Sequence, residues 1–295
     1  MSNPTHRAFS FRRIDAIASN TLTDLTRQKV FYFVLIFALI LIGSSAFTAR
    51  FSFQQEFQIL KDVSLGTMSI FTSLLAILAT ARLLSQDIED RTAYTILAKP
   101  VPRLEYIVGK LFGVLALLLL STLIMGALFA AVFHLREQAV LHETMQQMRA
   151  APREQVEDAL RALRGSALNL DILKVIVVIY LKACLLAALT LFVTTFATTN
   201  IFTVTVMVFV YFIGHLQATA REYWLQQQGA GWLTQFFLAL VALVFPDLQA
   251  FNLVDDAVAG TLIPFALFAK TALMGLFYTA VYAALAVVAF YGKEL

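Results

Sequence analysis

The feature that most constrains this chain is a charged stretch, Ala81 to Gly113 (ARLLSQDIEDRTAYTILAKPVPRLEYIVGKLFG), set between two apolar runs long enough to cross a bilayer. It carries nine charged residues. Even on mild insertion scales a charge at bilayer depth costs about 2.5–3.5 kcal/mol, so the stretch reads as a water-facing loop and its flanks as spans. Hydrophobic residues make up 60% of the chain and charged ones only 14%. Soluble domains carry about 25% charged residues. The expectation is an all-α integral membrane protein forming a single transmembrane domain over residues 1–295.

Taken in order, residues 9–28 place Ile14, Ile17, Ala18, Leu22 and Leu25 at helical spacing, with Arg12, Arg13, Asp15, Asp24 and Arg27 elsewhere around the helix. This predicts an amphipathic helix on the inner membrane surface. The predominantly polar residues before Val30 do not form a secretory signal, so membrane entry is expected from the first span. Spans are predicted at 30–48, 64–81, 108–134, 172–197, 201–216 and 262–291, each a run of sufficient apolar length. Residues 232–245 are apolar but short and end at Pro246-Asp247; they read as re-entrant, between spans five and six. If they cross instead, there are seven spans and the C-terminus is outside. Residues 135–170 are polar and are expected as an outer excursion of two short amphipathic helices split near Pro152. Arg27 and Lys29 place the N-terminus in the cytosol.

Between spans two and three, Gln86 to Leu97 holds neither Gly nor Pro, and Pro100 and Pro102 stop any helix begun there. A short charged helix outside the membrane follows, with Ile88, Tyr94, Ile96 and Leu97 as an apolar side and Asp87, Glu89, Asp90 and Arg91 as charges. Such a helix suits docking to a soluble partner. At the start of span three, Gly109 and Gly113 stand at the spacing that lets helix backbones approach closely.

Glu89, Arg91-Thr92, Ile96 to Arg103, Tyr106 and Gly109 to Gly113 together resemble the first cytoplasmic loop of the ABC type-2 exporter permeases. The resemblance covers this loop, with looser support from the N-terminal helix and the spacing of the apolar runs. It implies a six-helix fold with a connecting helix before span one, a cytosolic coupling helix at 86–97 and a re-entrant feature between spans five and six. It also implies a bacterial cytoplasmic (inner) membrane with both termini cytosolic. The partners it implies are a separate ABC ATPase subunit and a second permease copy or paralogue. ATP and Mg would then belong to the partner, with no cofactor on this chain. On this reading Asp87, Glu89, Arg91, Thr92 and Tyr94 contact the ATPase, while Lys99, Pro100, Arg103, Tyr106 and Lys110 anchor the loop to lipid phosphate or the partner. A solvated loop obeying the positive-inside bias accounts for Lys99, Arg103 and Lys110 equally well.

The remaining residues argue against chemistry on the chain itself. There is no GxxxxGK[ST] phosphate loop, no HExxH and no GxSxG, and His6, His134, His142 and His215 are scattered. The single Cys184 excludes an intrachain disulfide. Lys and Arg number 22 against 19 acidic residues, a slight excess without a basic stripe, so no nucleic-acid partner is expected. Lys182, deep in span four, must face a cavity, a partner or the bundle, and is the candidate for a substrate path. Lys270 and His215, nearer span ends, are expected to snorkel, and Phe265, Phe268, Phe277, Tyr278 and Tyr282 to pack or anchor at the interface. The leading expectation is the membrane-spanning subunit of an ATP-driven exporter, not an enzyme. The alternative is a membrane scaffold for a cytosolic ATPase that acts on cell-surface machinery or lipids without moving solute.

Overall fold

A computed structural model describes residues 10–49, 56–89, 102–147, 170–197, 199–226 and 246–291. Among them every regular element is helical. The helices are α1 (Phe11–Thr26), α2 (Lys29–Ala49), α3 (Glu56–Glu89), α4 (Arg103–Gln147), α5 (Leu170–Phe196), α6 (Asn200–Gln226), α7 (Val254–Ala259) and α8 (Phe265–Tyr291), with a 3-10 turn at Gln249–Phe251. Six of them, α2 to α6 and α8, are long and apolar enough to cross a membrane. The chain is a multi-pass, all-helical membrane protein.

Several serines and threonines within the spans are compatible with this because their hydroxyls turn back onto their own helix, whereas the buried Thr80 hydroxyl has no partner among the described residues. Thr72 donates to the Met68 carbonyl at 2.6 Å, Ser121 to Leu117 at 2.8 Å and Thr190 to Leu186 at 2.6 Å. No donor is left facing hydrocarbon at these positions.

Three helices outrun their predicted spans: α3, α4 and α6, the last of which runs to Gln226 although span five was expected to end at residue 216. A bilayer's hydrocarbon is about 30 Å thick, and a residue rises about 1.5 Å along a helix. The 34 residues of α3 and the 45 of α4 are therefore too long to lie within it. In α3 the helix runs unbroken from the predicted span into Gln86–Glu89, the start of the predicted coupling helix; residues 90–101 lie outside the described residues. In α4 no break separates span three from residues 135–147, expected as part of the outer excursion. The sequence holds no Gly or Pro between Gly126 and Pro152, and Arg136 is tied to Glu56 of α3 at 2.7 Å. The second predicted helix of that excursion and the 232–245 segment lie outside the described residues.

Pairwise contacts give the direction of each helix. Ser45 meets Ser64 at 3.1 Å and Phe37 meets Phe71, so α2 and α3 are antiparallel. Glu56 meets Arg136 and Leu75 approaches Leu117, so α3 and α4 are antiparallel too. Helix α5 runs beside α8 in the same direction, since Asp171 accepts from the Ile263 amide and Phe192 packs on Tyr282. Every residue from Leu181 to Leu191 of α5 is buried, which makes α5 the centre of the bundle. Helix α7 ends at Gly260, whose φ of +73° is a left-handed conformation that glycine adopts without strain.

Candidate functional site

The first turns of α4 gather three parts of the chain at one end of the bundle. Pro102 opens the helix, its carbonyl accepting from the Tyr106 amide at 3.2 Å. Glu105, fully buried, accepts from Arg13 Nε at 2.6 Å, from Arg13 Nη2 at 2.8 Å and from the Ser10 amide at 3.0 Å. Those hydrogen bonds raise the Arg13 guanidinium above its ordinary value. Farther along, a side chain at Gly109 would meet Ile17 Cβ at 2.8 Å, and one at Gly113 would meet Thr21 Cβ at 2.6 Å. The close-approach glycines thus seat α1, which runs parallel to α4 along its predicted apolar stripe, with Ile14, Thr21 and Leu25 buried.

The same turns hold the end of α8. Arg103 Nη1 donates to the carbonyls of Phe290 at 3.3 Å and Tyr291 at 2.8 Å, satisfying acceptors that a helix C-terminus leaves open. Tyr106, fully buried, stacks on Phe290 with ring centroids 6.0 Å apart, and the Lys110 ammonium lies 5.7 Å from the Tyr106 ring. Three of the predicted loop anchors, Arg103, Tyr106 and Lys110, are thus engaged with the chain itself. Asp87 and Glu89 lie on the last turn of α3, while Arg91, Thr92, Tyr94, Lys99 and Pro100 fall outside the described residues. Glu105 stood inside the same stretch without an assigned role. Its signal was its place three residues after Pro102, opposite a helix rich in arginine.

The second cluster surrounds Lys182, close to the middle of the 27-residue α5 and only 3% exposed. Its ammonium donates to the Ser69 hydroxyl of α3 and lies 6.0 Å from the Tyr211 ring centroid of α6. Tyr211 in turn neighbours Ser73 and packs on His215 with centroids 4.3 Å apart. His215 lies within electrostatic reach of both Lys182 and Asp247. Asp247 accepts from the amides of Gln249 at 3.1 Å and Ala250 at 3.3 Å. His215 was expected to snorkel; it is half-buried on this cluster. Sequence reasoning named Lys182 alone, although Ser69 with Ser73 and Tyr211 with His215 are polar pairs at helical spacing within apolar runs.

Non-helical backbone reaches into the bundle beside this cluster. The Leu248 amide donates to the Gly214 carbonyl at 3.0 Å, and Phe251 fills the space at Gly275, where an added Cβ would come within 2.9 Å of its ring. Both glycines lie well inside their helices, so residues 246–253 enter between α6, α5 and α8 instead of staying at a loop end. Irregular backbone at such depth is tolerated where protein surrounds it. Among the described residues no cluster of His, Cys, Asp and Glu is arranged to hold a metal ion. No protein-family model matches the chain, and no curated protein is significantly similar to it.

Proposed function

We propose that this chain is the membrane-spanning subunit of an ATP-binding cassette exporter, working beside a second permease copy or paralogue and driven by a separate ATPase subunit in a bacterial cytoplasmic membrane. The observation that carries the reading is the loop between α3 and α4. Its residues resemble the coupling loop of the type-2 exporter permeases. The helix α4 that follows it begins at the end of the bundle where Glu105 holds α1 and Arg103 holds α8. A push on that loop would reach the first helix, the last helix and the long α3 and α4 together. The chain then transmits motion, with Asp87, Glu89, Arg91, Thr92 and Tyr94 as the docking residues and ATP and Mg on the partner.

The test is whether an ABC ATPase co-purifies with the detergent-solubilised chain from its source cells. Combining Glu89→Ala with Arg91→Ala is expected to reduce ATPase recovery at unchanged yield of the chain; undiminished recovery would remove this loop as the interface. Vesicles holding both subunits then separate a transporter, which moves solute on ATP addition, from a scaffold that moves none.

A further inference from the structure

We propose that Lys182 recognises the acidic head group of an amphiphile, a phosphate or carboxylate on an apolar tail, that reaches it between α3 and α6. The proposal deepens the permease reading by naming the class of molecule handled. An ammonium carries three N–H donors. One is given to Ser69 and the Tyr211 ring lies nearby, yet among the described residues no carboxylate pairs with Lys182. An ammonium at this depth, with a hydroxyl and an aromatic face as its partners among the described residues, would gain from an anionic guest.

The surrounding groups fit such a guest. Ser69 and Tyr211 bring hydroxyls able to donate to an oxyanion, while Ser73 already donates to the Ser69 carbonyl at 2.7 Å and His215 Nδ1 faces the Tyr211 carbonyl at 2.9 Å. Asp247, the carboxylate in reach of His215, has its Oδ1 turned onto the backbone of Gln249 and Ala250. Among the described residues the cluster is open on one side. Ser69, Tyr211 and His215 are only partly buried, and a Cβ added at Gly66, on the Ser69 face of α3, meets nothing within 4 Å among the described residues. Ile70 and Phe212 are exposed on the helices bordering this side, apolar surface suited to a tail.

The test uses the purified full chain in phosphatidylcholine nanodiscs, with dodecyl phosphate, laurate, dodecanol and inorganic phosphate as probes and thermal unfolding as the readout. Both acids are expected to raise the melting temperature saturably, as ligands of the folded state do, and dodecanol and inorganic phosphate are not. Losing one charge-assisted contact in Lys182→Met should weaken the apparent Kd for dodecyl phosphate about ten- to hundredfold, with Lys182→Arg retaining most of it. If Lys182→Met does not fold, Ser69→Ala and Tyr211→Phe carry the same test, each weakening the acid and leaving dodecanol unaffected. No shift with either acid, an equal shift in Lys182→Met, or inorganic phosphate acting as well as dodecyl phosphate would overturn the proposal. Competition by phosphatidylglycerol in the nanodisc assigns the head group to a membrane lipid, and its absence to a separate amphiphile. The assay contains no ATPase, so failure here and failure of ATPase docking are separate results.

Discussion

Glu105 and Lys182 are both buried ions, and their surroundings give them opposite roles. Glu105 has three donors on it and is a fastening: its charge is matched by Arg13, which is itself part-exposed. The two partners are therefore unequal. Arg13→Ala strands a fully buried carboxylate, whereas Glu105→Gln leaves a guanidinium that water can reach, so the first is expected to lower the melting temperature more than the second. Thermal unfolding in detergent checks the order, and a larger loss in Glu105→Gln would refute it. In the double variant the losses should fall short of additive, because both act on one contact. Lys182, with a serine and an aromatic face in place of a carboxylate, is left able to accept a partner. A charge within an apolar run marked it in the sequence. The Ser69, Tyr211 and His215 around it come from two other helices, and no spacing within one helix could have joined them.

At the scale of elements, glycine decides where α1 sits. The Gly109 and Gly113 spacing was legible as a place for a close neighbour, but the neighbour is the amphipathic α1, a helix that periodicity alone assigned to the membrane surface. Gly113→Val should cost about 1–3 kcal/mol by overpacking, since the added carbon meets the Ala18 carbonyl at 2.8 Å, which cannot swing aside as a side-chain end can. Gly43→Ala is the contrast: among the described residues nothing lies within 4 Å of its added methyl, and helix propensity predicts a gain of up to about 1 kcal/mol. Melting temperatures of the two variants should move in opposite directions, and a stabilising Gly113→Val would contradict the close packing of α1 on α4. The continuity of α3 through Glu89 and of α4 through Gln147 was not legible, because hydropathy marks where apolar residues stop and not where the helix stops.

Across the whole molecule, the start of α4 draws α1 and the end of α8 to one end, while Thr261 lies at the opposite end, beside the start of α8. With Cys184 as the chain's only cysteine, single labels can be placed in a Cys184→Ala background. Exposed Ser19 and Tyr291, replaced by Cys, are expected to react with an impermeant maleimide from one face of sealed vesicles and Thr261→Cys only from the other. Reaction of Ser19 and Thr261 positions from the same face would break this topology. The six candidate spans among the described residues and their helical class followed from the sequence alone, because the bilayer admits few solutions: a run of apolar residues long enough to cross it must satisfy its own backbone as helix. Tertiary structure alone decided which helix seats on Gly109 and Gly113, which carbonyls Arg103 holds, and which hydroxyls surround Lys182. In a bilayer the hydrophobic effect does not choose between helix neighbours, so close packing and a few polar contacts do, and these depend on shapes that meet only after the helices have formed.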